Sequence, residues 1–238
     1  MRRETQNILL LLLGGALLKI ALTGDYLRYV KPAHQPWLLG AGAVTVLLGA
    51  VAIVRDVLAA RERPGTLLPG HEHDHPARSA WLLMVPVLAV FLVAPPALGS
   101  DSVTRTRSGS TAGFASASFP PLPPGDPLRM TLTDFVSRAG WDEAGSVDGR
   151  RVTLTGFVVH NEGETWLARM VIGCCAADGY PVQVQLDGDQ ADELAADTWL
   201  EVTGEVVPDV NTAEAGYVPE FTVGTLRQVP APRDPYEY

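Results

Sequence analysis

Lysine is almost missing from this chain: Lys19 and Lys31 are the only two in 238 residues, against 16 arginines. From Asp126 onward there is none, and 20 acidic residues outnumber 7 arginines. A half so negative cannot neutralise phosphates, which excludes nucleic acid and anionic headgroups as its partners. Cysteine is equally scarce. Cys174 and Cys175 are the whole supply, and with no C-x-x-C they exclude a thioredoxin-type exchange site. Charge is nearly absent from three stretches of the first hundred residues, Ile8 to Leu22, Trp37 to Val54 and Trp81 to Leu98, interrupted only by Lys19.

Those stretches predict three transmembrane helices. Each falls a little short of the roughly 20 residues a bilayer asks for, and reaches it with one flanking turn. Lys19 can keep its stem in hydrocarbon while its ammonium reaches the headgroups. The competing reading, buried core helices, lacks neighbouring polar segments to cover them. A cleaved signal peptide is a competing reading for the first stretch, but a second span follows at once and no A-x-A site stands out. Tyr26, Tyr29, Trp37 and Trp81 fall at span ends, as interfacial aromatics do. Arg2 and Arg3 precede the first span and Arg55, Arg61, Arg63 and Arg78 fill the second connection, while only Arg28 and Lys31 sit in the first. The positive-inside rule then predicts a multi-pass plasma-membrane protein with the N-terminus and second connection cytoplasmic and the C-terminal half outside.

Composition divides the chain into a membrane region over 1–99, a Pro/Ser-rich linker over 100–127 ending in F-P-P-L-P-P-G-D-P, and a domain over 128–238 large enough for one core. In that domain a short helix is expected over Leu132 to Arg138, capped by Thr131 or Thr133 and stopped by Gly140. Strands are expected over Arg151 to His160, Glu164 to Ile172, Tyr180 to Leu186, Trp199 to Val207 and Pro219 to Val229. A tight turn is expected at Asn161-Glu162-Gly163, and a helical patch over Gln190 to Ala196. This order is that of an all-β, OB-like five-stranded barrel. L-T-G-F-V at Leu154 to Val158 echoes V-T-G-E-V at Val202 to Val206, placing Gly156 and Gly204 on the paired first and fourth strands, where closure needs a sharp coil or bulge. Two unrelated bends in a generic sandwich is the alternative. Trp166 and Trp199 are read as core aromatics.

Chemistry concentrates in Gly173-Cys174-Cys175-Ala176-Ala177-Asp178. Neighbouring cysteines on an extended strand face opposite ways, so one ion can take both only where the chain turns, and Asp178-Gly179 supplies a turn. Three readings stay open: a soft cation such as zinc or copper, with Asp178 or His160 completing the shell; a vicinal disulfide in an oxidising compartment; or two small buried hydrophobes. A second donor tract, His71-Glu72-His73-Asp74-His75, lies in the second connection. Its three imidazoles His71, His73 and His75 suit zinc, nickel or copper, though such tracts also occur simply solvated. On the expected topology it faces the cytoplasm, so the two sets cannot share an ion.

The short three-span half, the H-x-H-x-H tract, the L-G-S exit (Leu98 to Ser100), R-V-T-L-T-G-F-V and above all C-C-A-A-D-G-Y-P-V resemble an uncharacterised bacterial membrane family. What the resemblance implies is a partner subunit of a larger predicted permease encoded beside it; it carries no catalytic residue. The expectation is therefore a non-enzymatic accessory subunit, docked on a multi-span permease in the bilayer. Its outer domain would bind a soft metal ion or small solute. Alternatives are a cysteine-dependent redox or metal-handling envelope protein, with Cys174 or Cys175 as nucleophile and His160 as base, and a purely structural anchor.

Overall fold

A computed structural model describes residues 3–61, 84–93, 96–106, 119–161, 163–207 and 218–238. It divides into two compact units, Met1–Pro96 and Ala97–Tyr238.

The first unit is built on two long apolar helices, α1 (Arg3–Thr23, 21 residues) and α2 (Gln35–Arg61, 27 residues). Both are long and apolar enough to cross a membrane. The chain reverses between them at Gly24, whose φ of 87° suits glycine, through the 3₁₀ turns Asp25–Arg28 and Pro32–His34. Antiparallel pairing is fastened at both ends: Asn7 Nδ2 donates to Asp56 Oδ2 at 2.9 Å, and Gln35 Nε2 donates to the Ala21 carbonyl at 3.0 Å. Small residues let the helices meet between these points. A Cβ on Gly14 would lie 2.7 Å from Val46 Cγ2, and one on Gly42 2.9 Å from Leu18 Cγ. Of the third expected stretch, α3 (Met84–Leu92) is helical; residues 81–83, 94 and 95 lie outside the described residues. Its expected last residues, Ala97 and Leu98, pack instead on the second unit's core.

In the second unit seven strands form one mixed sheet in the order β1-β2-β5-β6-β4-β3-β7. These are β1 (Leu128–Arg129), β2 (Val152–Asn161), β3 (Glu164–Val171), β4 (Tyr180–Asp187), β5 (Trp199–Val206), β6 (Glu220–Gln228) and β7 (Tyr236–Glu237). β2, β3 and β4 run as an antiparallel meander, β5 pairs antiparallel with β2 and β6, and β4 lies parallel to β6. Because β2 also pairs with β3, these five strands close into a ring. Gly156 faces Leu200 and Gly204 faces Val152 across the β2–β5 ladder, with a register shift between Thr203 and Gly204 in β5's pairing with β6. Neither glycine has a positive φ. What excludes a side chain is close approach: a Cβ on Gly156 would stand 2.6 Å from the Ala168 carbonyl, and one on Gly204 would collide with the Thr222 carbonyl. The Asn161–Glu164 pairing confirms the tight turn, with Gly163 at φ 89°.

Alternation along the ring separates two cores. One holds Leu154, Val158, Leu167, Val184, Leu200 and Val202, with Leu132 and Phe135 of α5 (Leu132–Trp141) closing it, Phe135 edge-on to Phe221 at 5.3 Å. α5 continues past Gly140, and Thr131 caps it by accepting from the Asp134 N–H at 3.1 Å. The penultimate residue, Glu237, adds its carboxylate to the Leu132 and Thr133 N–H groups at 3.0 and 2.8 Å. The second core, Phe157, Ala168, Met170, Ile172 and Tyr236, receives Val103, Trp166 and Trp199. Val103 comes from α4 (Ser100–Arg105), a helix where composition suggested linker. Two bonds tie that segment down: Leu98 N–H donates to Tyr236 Oη at 3.0 Å, and Ser100 N–H to Asp197 Oδ1 at 2.7 Å. The expected helical patch at Gln190 to Ala196 is only the 3₁₀ turn Asp189–Ala191, since Asp197 at φ 65° and its neighbours feed directly into β5.

Candidate metal centre

β3 ends at Val171 and β4 begins at Tyr180, leaving eight residues to reverse the chain. Glycines bracket this loop for steric reasons. A Cβ on Gly173 would press on Asp178 Oδ2 at 2.9 Å, and one on Gly179 on Leu98 Cδ1 at 2.9 Å. Residues Ala176–Asp178 form one 3₁₀ turn, closed by the Asp178 N–H donating to the Cys175 carbonyl at 3.0 Å. The turn swings the Asp178 carboxylate back over the loop's start, where it accepts from the Gly173 and Cys174 N–H groups at 2.8 and 2.7 Å. This is an Asx-like return in which backbone donors hold an acid in place.

The same reversal sets the thiols together. Cys174 Sγ and Cys175 Sγ lie 3.7 Å apart, a free pair and not a disulfide. Donor atoms of Cys174, Cys175 and Asp178 all fall within 4.8 Å of one another. They are close enough to hold one metal ion. Electrostatics bind the three into a unit. The Cys174 thiol donates to the Asp178 carboxylate and lies against Cys175, which pushes its pKa up to about 11, and the thiol and backbone N–H donors hold Asp178 below the usual carboxylate range. A cation held by both sulfurs as thiolates would displace both thiol protons, and its charge would offset the negative charge left on the loop.

His160 does not join them. It sits at the far end of β2, opposite Thr165 at the start of β3, and six strand residues at about 3.3 Å each put roughly 20 Å between Thr165 and the end of β3. Its own partners are elsewhere: Nε2 lies 2.8 Å from the Leu194 carbonyl and Nδ1 3.2 Å from Thr165 Oγ1, which donates to Asp192 at 2.5 Å. His160 thus lies apart from these cysteines, and among the described residues the donors that cluster are Cys174, Cys175 and Asp178. His71, His73 and His75 lie outside the described residues. Trp166 and Trp199 pack as expected, Trp199 against Phe157 at 5.5 Å. Sequence reading missed Arg169, which is buried on β3 with its guanidinium 4.9 Å from the Trp199 ring. It also missed Glu237. A lone Arg in a strand otherwise apolar (L-A-R-M-V) was the only available signal.

Residues 5–108 match the DUF1980 N-terminal domain and residues 142–238 the DUF1980 C-terminal domain. The chain belongs to the DUF1980 family. The DUF1980 C-terminal domain takes in the whole cysteine loop, and the N-terminal domain runs past the apolar helices to include α4, which packs on the sheet unit. Neither domain description names an activity, ligand or partner. No curated protein matches the chain.

Proposed function

We propose that this DUF1980 chain is a non-enzymatic accessory subunit of a multi-span permease, whose C-terminal unit binds a soft metal ion on Cys174, Cys175 and Asp178. The convergence of those three donors within 4.8 Å supports the metal part of this reading. Two thiolates side by side repel unless a cation or a disulfide relieves them, and the acidic surface of this half concentrates cations around the loop. The five-strand ring, with its first strand paired to its fourth and its third parallel to its fifth, is read as an OB-like barrel that presents the loop. α1 and α2 supply the anchor in the plasma membrane. The arginine distribution supports a cytoplasmic N-terminus and an extracytoplasmic ring. The permease partner is what the family resemblance implies, and the exposed apolar faces of α1 and α2 leave room for it.

The test uses the full chain purified in mild detergent from cells that also express its chromosomal neighbours. Metal analysis after reduction and loading with zinc or copper(I) should find one ion per chain. The Cys174→Ser/Cys175→Ser double variant should hold one ion fewer than the parent chain while retaining its fold, and a multi-span protein should co-purify with both. A chain that stays metal-free after reduction and loading would reduce the cysteines to packing. Recovery as a lone monomer would remove the permease.

A further inference from the structure

From the loop's geometry we infer that its cargo is zinc, held in a three-ligand tetrahedral site whose fourth corner is open for exchange; this rests on the metal reading above. The separation of the sulfurs chooses the ion. Two thiolates on a tetrahedral zinc, each at about 2.3 Å, stand about 3.8 Å apart, and the Cys174 and Cys175 sulfurs are 3.7 Å apart. Copper(I) held by two thiolates alone draws them to opposite sides of the ion, which neighbouring residues fixed at this spacing do not offer. The third donor argues the same way. Asp178 brings a carboxylate oxygen, which zinc accepts readily and copper(I), preferring sulfur, does not.

Ligand count then separates a structural site from an exchanging one. Structural zinc sites close four protein ligands around the ion, whereas three protein ligands leave a corner for water or an incoming group. Among the described residues no fourth His, Cys, Asp or Glu joins the cluster, and the nearest histidine by sequence, His160, is committed to Leu194 and Thr165. Cys174 and Asp178 are exposed and Cys175 half-buried, so the open corner is within reach of an acceptor. Asp178 is already anchored by two backbone N–H groups, so the site is preformed and loading or release does not require the loop to refold. Preformed, exposed and one ligand short, the loop suits hand-over of zinc to a donor group on a partner.

Cobalt(II) reports this directly, because its visible bands are intense when tetrahedral and shift when a ligand changes. The reduced full chain in detergent is loaded with cobalt(II) and titrated with imidazole. The expected result is a tetrahedral spectrum with sulfur charge-transfer bands, shifted by imidazole at the open corner, and zinc that a small chelator removes within minutes. Asp178→Asn should weaken zinc by about 10- to 100-fold, while His160→Ala leaves it unchanged. A tetrahedral spectrum indifferent to imidazole, with zinc resistant to the chelator, would overturn the open corner but keep the metal site. Selective retention of copper(I) over zinc would overturn the choice of ion. No binding of any of these metals would sink the metal reading itself.

Discussion

A Cβ placed on Gly42 in the helical unit would meet the side chain of Leu18 at 2.9 Å, whereas one placed on Gly156 in the sheet unit would meet the Ala168 carbonyl at 2.6 Å. Both units use glycine to bring backbone elements together, but at different distances: the backbone atom nearest a Gly42 Cβ is the Gly14 carbonyl at 3.2 Å. A leucine can change rotamer; a carbonyl held in a strand ladder cannot move without breaking its neighbours. The exteriors differ too. α2 exposes Trp37 at 77 % and Leu47 at 62 %, a surface that water penalises and lipid does not. The ring's exterior carries ion pairs, with Glu201 accepting from Arg129 at 2.6 Å and Arg227 at 2.8 Å. The first unit's exposed face is thus apolar, and the second's is charged around a buried core.

Gly204→Val should cost the most. With the Thr222 carbonyl in the way, the ring must open or shift, and a loss of about 3 kcal/mol is expected in thermal or denaturant unfolding of the sheet unit. Gly156→Val should cost slightly less. An unchanged melting temperature for both would mean that the ring closes without these contacts. In the helical unit, Gly42→Val should cost about 1 to 2 kcal/mol, since Leu18 can yield and the Gly14 carbonyl stands farther off at 3.2 Å, and should loosen α1 from α2 without touching the ring. Disulfide trapping between engineered cysteines on α1 and α2 reads this out. A larger effect there than at Gly204 would reverse the comparison.

The ring's polar exterior has a smaller, pH-dependent share. Hydrogen bonds from Arg129 and Arg227 hold the Glu201 carboxyl down at about 2. Since the folded value lies below the unfolded one, the contribution is complete above the ordinary carboxylate range, near 4.5, and fades as pH falls from there toward 2. Both arginines are about two-thirds exposed, so the expected contribution is about 1 kcal/mol. Glu201→Gln should lower stability by that amount at pH 7 and by nothing near pH 2. An equal loss at both pH values would assign the effect to packing.

Much of this was legible in advance because it rested on local pattern. Long charge-free runs give α1 and α2, period-two alternation gives β2 to β6, and the repeated glycines mark where the ring closes. The proximity of Cys174, Cys175 and Asp178 was legible for the same reason, as one short loop contains all three. What depended on distant parts of the chain was not. Leu98 and Val103 read as membrane exit and linker, yet they bury against Met170 and Tyr236 because Asp197, about a hundred residues on, holds Ser100. His160 looked like a ligand because sequence gives no account of which end of a strand faces which loop. Glu237, near the C-terminus, caps a helix that begins at Leu132, and no local pattern announces it.

The smallest expected effect on folding is the one that bears on partnership. Gly14, Gly42 and Gly49 are used up between α1 and α2, but a Cβ on Gly15 or Gly40 would meet nothing within 4 Å. Helix interiors disfavour glycine by up to about 1 kcal/mol relative to alanine, so two glycines that meet nothing among the described residues are a local disadvantage that packing of α1 on α2 does not offset. A second integral protein whose helix approaches closely at these points would offset it. Gly15→Leu and Gly40→Leu should therefore leave the thermal stability of the isolated chain within about 1 kcal/mol, while reducing recovery of the proposed multi-span partner in co-purification. If the partner is retained in full by both variants, it docks on another face and these glycines simply meet lipid. If the isolated chain itself melts several degrees lower, then α3 or a second copy, and not a partner, occupies that surface.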